Sequence, residues 1–194
     1  QPRLWIHGAA GLAEQPERDV QGLATAADGA LLLSRPGVIE RRKGSERTRI
    51  PFPDGVPQAA MDAGVRIMLD DGRGLWASFA YDKLYRWAGG RWHPAHAYGV
   101  PDPEPICMAR GADGTLWFGY RDSTVVALRD GRVRRYGGAD GLDIGIVGRV
   151  YDAGGALLAA GDKGLSMLAA GRFVPVRLAA PQALAGITGM LLRA

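Results

Sequence analysis

A short motif returns along this chain at a nearly constant spacing. Asp113-Gly114-Thr115-Leu116-Trp117 has counterparts in Asp71-Gly72-Arg73-Gly74-Leu75-Trp76, Asp28-Gly29-Ala30-Leu31-Leu32 and Gly154-Gly155-Ala156-Leu157-Leu158, and Leu4-Trp5 is a fifth copy. Taken from the first Leu of each copy, the intervals are 27, 44, 41 and 41 residues. A second marker keeps the same phase: Gly90-Arg91-Trp92, Gly131-Arg132-Val133 and Gly171-Arg172-Phe173. Such a period restricts the fold severely, because each unit must bury its apolar face against a neighbouring copy of itself.

Between the markers lie strand-length apolar runs bounded by Gly and Asp, such as Leu84-Tyr85-Arg86-Trp87, Val125-Val126-Ala127-Leu128 and Leu165-Ser166-Met167-Leu168. No segment keeps a helical period with capping signals, so helix should be nearly absent. Each unit reads as four short strands. Strand a, as in Pro105 to Ala112, ends at the Asp-Gly turn. Strand b carries the Leu-Trp pair, strand c is the next apolar run, and strand d follows Gly-Arg. About 41 residues per four-stranded unit is the size of a propeller blade, so the expected fold is an all-β propeller over residues 1–194. The Asp-Gly pairs between strands a and b are expected to form type I′ turns, which need φ > 0 at both central residues. Trp76 and Trp117 are expected to pack between blades.

The termini complement each other. Ile187 to Ala194 reads as a strand a without its b, and Leu4 to Leu12 as b and c without their a. Joining the ends on paper spaces Leu157 and Leu4 by the same 41 residues. The expectation is a ring of five blades, closed by pairing N- and C-terminal strands, which would hide both sheet edges. The short 27-residue interval implies that the mixed blade lacks an outer strand, with Glu14 to Asp19 looping across. The alternative is an excerpt of a larger propeller.

Composition removes several classes. With 47% apolar residues, no run approaches the roughly 18 needed for a membrane span, so no membrane contact by this segment is expected. The start, Gln1-Pro2-Arg3, shows no secretory leader; any leader was removed or lies outside this sequence. Cys107 is the single cysteine and falls in a strand a, where a buried, inert thiol is expected. Formal charge is +4, and the densest basic runs, Arg41-Arg42-Lys43 and Arg132 to Arg135, lie beside turns. Solvated outer-strand charge explains them, and no nucleic-acid partner is expected.

The pattern Asp-Gly-x-Leu-Trp-x-Gly, followed by Gly-Leu, Gly-Arg-aromatic and Asp140-Gly141-Leu142, resembles the two-component regulator propeller repeat. Leu4 to Leu12 and Leu157 to Leu165 are its best Leu-to-Leu matches, and the resemblance covers nearly the whole chain. It implies a periplasmic or extracellular sensor module of a bacterial histidine kinase or diguanylate cyclase, binding a small molecule or carbohydrate and signalling through a homodimer of the parent sensor.

No catalytic constellation stands out of register with the repeat, so no enzyme, metal or cofactor is expected. His7, His93 and His96 lack metal-ligand spacing, and no glycine-rich phosphate loop precedes a helix. By fold analogy a ligand would meet the face built from b-to-c and d-to-a loops. That face offers Arg35, Tyr81, Asp82, Tyr120, Arg121, Asp122, Asp162 and Lys163, with His7 at the end of its strand. Alternating Arg, Tyr and Asp can hydrogen-bond and stack on a sugar or an anion, although ordinary turn chemistry accounts for any one of them. The alternatives are an interaction scaffold, or a carbohydrate lyase or glycoside hydrolase using two of Asp82, Glu104, Asp122 and Asp162.

Overall fold

The computed structural model describes residues 4–8, 11–15 and 19–177. Four antiparallel sheets of four strands follow one another along the chain, each strand pairing with its sequence neighbour. The first blade holds β3 (Gly22–Thr25), β4 (Leu31–Arg35), β5 (Val38–Lys43) and β6 (Glu46–Pro51). The second holds β7 (Val65–Asp70), β8 (Leu75–Phe79), β9 (Leu84–Ala88) and β10 (Arg91–Pro94). The third holds β11 (Cys107–Arg110), β12 (Leu116–Gly119), β13 (Val125–Arg129) and β14 (Arg132–Tyr136). The fourth holds β15 (Val147–Asp152), β16 (Leu157–Gly161), β17 (Leu165–Ala169) and β18 (Arg172–Pro175). Ahead of them, β1 (Leu4–Gly8) and β2 (Gly11–Gln15) form a hairpin, as strands b and c would. Glu14 and Gln15 therefore continue β2 instead of looping across, since Leu4 and Trp5 give them partners. Ile187 to Ala194, and with it the expected closure of a fifth blade, lies outside the described residues.

Among the described residues helix is as scarce as expected. One six-residue α-helix (Gln58–Ala63) links the first two blades, and short 3-10 turns span Ala95–Tyr98 and Gly138–Asp140.

Successive inner strands β3, β7, β11 and β15 lie side by side, so the blades fan out from a common axis. Their apolar cores sit between blades, because a four-stranded sheet stacked on both sides buries both faces. Strand b shows this directly: Leu75 to Phe79 and Leu116 to Gly119 are buried at every position. Side chains alternate across the strand, sending Leu75, Ala77 and Phe79 into the core shared with the first blade and Trp76 into the core shared with the third. Trp76 is fully buried, edge-to-face with Phe118 of the next blade (ring centroids 5.2 Å apart) and with Tyr98 (5.4 Å). Trp117 repeats the arrangement against Val147, Val150 and Leu157 of the fourth blade. Both tryptophans are thus inter-blade packing residues.

The turns differ from expectation in one instructive way. At Ala112-Asp113-Gly114, Gly114 N–H donates to Gly111 O (2.9 Å) and only Gly114 has positive φ, +83°. This is a type I turn closed by a left-handed glycine, and Asp113 Oδ1 accepts the Thr115 amide (2.9 Å) instead of sitting at φ > 0 itself. The Asp28-Gly29 turn repeats it, with Gly29 at +82°. Among the described residues, positive φ at both central residues occurs between strands a and b only at Gly154 and Gly155. It recurs instead between strands c and d, at Gly89-Gly90, Asp130-Gly131 and Ala170-Gly171, which explains why the Gly-Arg marker is so regular.

The first basic run is neutralised within its own blade, and the second in part. Arg41 and Lys43 pair with Asp28, and Arg42 and Arg47 with Glu40. Arg135 pairs with Asp122, and the Arg134 guanidinium covers the Tyr136 ring at 4.5 Å.

Candidate functional site

Tight turns hold the b-to-c loops of the second and third blades beside the connection between those blades. Tyr81 sits at φ +60° in a turn where Asp82 N–H donates to Phe79 O (3.2 Å). The connection is pinned from three sides: Leu84 N–H donates to Asp102 O (2.9 Å), His96 contacts the Asp102 carboxylate through its amide (2.9 Å) and Nδ1 (2.7 Å), and Tyr120 Oη donates to Pro101 O (3.4 Å). Asp102 is held below the usual carboxylate range: burial pushes it upward, but the His96 contacts outweigh that.

These loops enclose a cavity of about 510 Å³ lined by Tyr81, Asp82, Pro101, Pro103, Glu104, Tyr120, Arg121, Asp122, Thr124 and Arg135. Five of the nine residues proposed from sequence, Tyr81, Asp82, Tyr120, Arg121 and Asp122, therefore share one pocket. Their roles differ. Tyr81 is 70% exposed and offers a ring face, with the Arg66 guanidinium 5.5 Å from its centroid. Tyr120 is buried, and that burial pushes its hydroxyl well above the usual tyrosine range. Asp82 accepts from Tyr85 Oη (3.2 Å), and Asp122 pairs with Arg135 (2.8 Å). Burial first, then the Asp82 charge, raises the Tyr85 hydroxyl to about 12, so it stays a donor.

The remaining candidates go elsewhere. Arg35 pairs with Glu40 inside the first blade (3.3 Å). Asp162 accepts the Ile146 amide (2.6 Å) and Lys163 N–H donates to Ile144 O (3.0 Å), which fastens the fourth blade's b-to-c turn to the segment leading into its inner strand. The side chain of His7 lies outside the described residues. Three of the four carboxylates considered for glycoside chemistry, Asp82, Glu104 and Asp122, line the pocket, whereas Asp162 does not.

A second cavity, about 290 Å³, adjoins the first through Glu104 and Arg121 and lies among the inner strands, lined also by Arg66, Ile67, Pro105, Ile106 and Arg149. Arg66 and Arg149 escaped the sequence reading. A signal existed: by strand pairing, Arg149 occupies the position held by Ile67 and Cys107 in the preceding blades, so it breaks the repeat. Bulges at Val65/Ile67 and Val147/Arg149 set these side chains' places, and single-sequence periodicity does not reveal a bulge.

A further cavity, about 940 Å³, opens among the a-to-b and c-to-d turns, around Asp71, Trp76, Arg86, Tyr98 and Arg110. Its deepest groups serve one another. Asp71 Oδ2 accepts from Trp76 Nε1 (3.0 Å) and from Arg86 Nε (3.2 Å) and Nη2 (2.9 Å), while Arg86 covers Tyr98 at 4.9 Å.

Cys107 is buried against Val147 O (3.4 Å), and burial pushes its thiol up to about 12. Since the thiolate is the nucleophile, Cys107 is expected to resist a disulfide reagent at pH 8 in the folded protein and to react at once in denaturant. Because an unfolded thiol ionises near pH 8.5, its contribution to stability is full below that value and is lost as pH rises toward 12. Rapid native-state labelling followed spectrophotometrically would contradict this. Among the described residues no group of three His, Cys, Asp or Glu could hold a metal ion, and no helix is long and apolar enough to cross a membrane.

Four-stranded antiparallel blades, fanned about an axis with their cores between them, define a β-propeller. No family model and no curated protein matches the sequence. In fold the chain is similar to the extracellular domain assigned to a hybrid two-component system of B. thetaiotaomicron, with a TM-score of 0.62 at 15% identity over 94% of this chain and 28% of that one. A similar domain assigned to a one-component system of the same organism gives 0.63 at 14% identity, over 95% and 24%. The WD40 propeller domain of Doa1 gives 0.59 at 11% identity, over 89% and 60%. The chain thus spans about a quarter of the length of the two bacterial domains.

Proposed function

We propose that this propeller is an extracytoplasmic, non-catalytic sensing module of a bacterial signalling protein, and that its ligand sits in the Tyr81–Tyr120 pocket. The observation that carries the reading is the meeting of two blades' b-to-c loops in one cavity with an exposed aromatic face. Ligand sites combine apolar and aromatic walls with a few placed polar groups in cavities of roughly 300–1,000 Å³. Prolines 101 and 103 stiffen the connection, so little ordering opposes binding. The similarity in fold to extracellular domains of bacterial signalling systems supports the setting. A ring closed as five blades by the terminal strands is the architecture we favour, because it pairs the strands at both ends of the array and leaves only short outer edges.

The test is saturation-transfer NMR on the full chain with a panel of neutral mono- and disaccharides and hexuronates. At least one sugar should bind, and Tyr81→Ala should weaken it by roughly tenfold, the loss of one aromatic stacking contact. No binding across the panel, or unchanged affinity in Tyr81→Ala, would overturn the pocket assignment.

A further inference from the structure

The two adjoining cavities differ in character. The outer one presents tyrosine rings and prolines, whereas the axial one gathers Arg66, Arg121 and Arg149 against the single carboxylate of Glu104. Arg66 is committed to Glu104, 3.5 Å from Oε2. Arg121 has no ion pair or hydrogen bond among the described residues, and Arg149 has only the carbonyl of Gly148 (3.1 Å). Two guanidiniums on separate blades thus converge on one space with their donors largely unspent.

Glu104 supplies the complementary need. It lines both cavities, and neither of its oxygens accepts a hydrogen bond from any described residue. Beyond the long ion pair with Arg66, its oxygens keep acceptor capacity that suits hydroxyl or amine donors on the ligand. A bare inorganic anion fits poorly here, since its oxygens would face Glu104 with no proton to donate. A neutral sugar would leave Arg121 and Arg149 unanswered.

Resting on the proposed sensing role, we infer that the two cavities form one site for an acidic sugar. Its carboxylate is held by Arg121 and Arg149 at the axis, where guanidinium–carboxylate pairing is directional. Its hydroxyls donate to Glu104, and its ring lies over Tyr81 in the outer pocket.

Titration calorimetry on the full chain discriminates, using D-galacturonate, D-glucuronate, the neutral sugars galactose and glucose, and inorganic phosphate as probes. A uronate is expected to bind at least about tenfold more tightly than its neutral counterpart, the weight of a charge-assisted hydrogen bond. Arg149→Gln should erase that preference while leaving neutral-sugar affinity in place, Arg121→Gln should weaken the uronate more than the neutral sugar, and Glu104→Gln should weaken both sugars. Circular dichroism would confirm that each variant is folded. Equal affinity for neutral and acidic sugars overturns the charge inference but leaves the sensing pocket standing. Phosphate binding as tightly as uronate shows an anion site only and overturns the sugar assignment. If no probe binds, both readings fail.

Discussion

Trp76→Ala should remove about 3–5 kcal/mol of stability, the range for truncating a fully buried aromatic residue. Stability for single domains is about 5–15 kcal/mol, so this is a large share. The indole lies in the core joining the second and third blades, edge-on to Phe118 and Tyr98, and it anchors Asp71 through Nε1. Removing it leaves a void that two rigid sheets cannot close, because each sheet is fixed by its ladder and by the core on its other face. Urea unfolding followed by circular dichroism reads the change. For a chain of this length each kcal/mol lowers Tm by roughly 2–4 °C, so a fall of about 6–20 °C is expected. Trp76→Phe should retain most of the loss-free packing and lie well above the alanine variant. A change below about 1 kcal/mol in Trp76→Ala would show that the blades are held together elsewhere.

Asp71→Ala should cost about as much, by another route. Arg86 and Asp71 have side chains only 15% and 10% exposed, so this is a desolvated pair rather than a screened surface one. Burial works against the Arg86 charge, but Tyr98 and Asp71 more than offset it, and the guanidinium holds its proton more tightly than usual. Taking away the carboxylate strands that cation and the Trp76 indole N–H together, for which about 3–5 kcal/mol is expected. Adding Arg86→Met should recover part of the loss, since no unpaired buried charge would remain. If the double variant is less stable than Asp71→Ala alone, the guanidinium is held by its stacking on Trp76 and Tyr98 instead.

Both predictions concern positions that stand in phase with the repeat, and such positions were legible before any coordinates. Leu116 and Trp117 recur because every blade needs the same strand b, buried on both faces. The candidate site was legible in part. Tyr81, Asp82, Tyr120, Arg121 and Asp122 could be placed because b-to-c loops fall at a fixed offset from the Leu-Trp pair. Which loops would meet could not: Arg35 and Asp162 occupy corresponding turns, yet each is spent within its own blade.

The repeat alone therefore carried the class of fold, the strand order within a blade and the packing of Trp76 and Trp117 between blades. A repeated pattern of alternation and turn residues is local information, and local information is enough to define a unit that must stack on its own copies. The tertiary structure decided the rest. It turned Asp113 into the acceptor of a type I turn, joined two blades' loops into one pocket, and brought Arg66, Arg121 and Arg149 to the axis. Those outcomes depend on bulges, on the path of the inter-blade connection and on which side chains spend their hydrogen bonds at home. Each is a property of distances between blades, and a period in sequence carries no such distances.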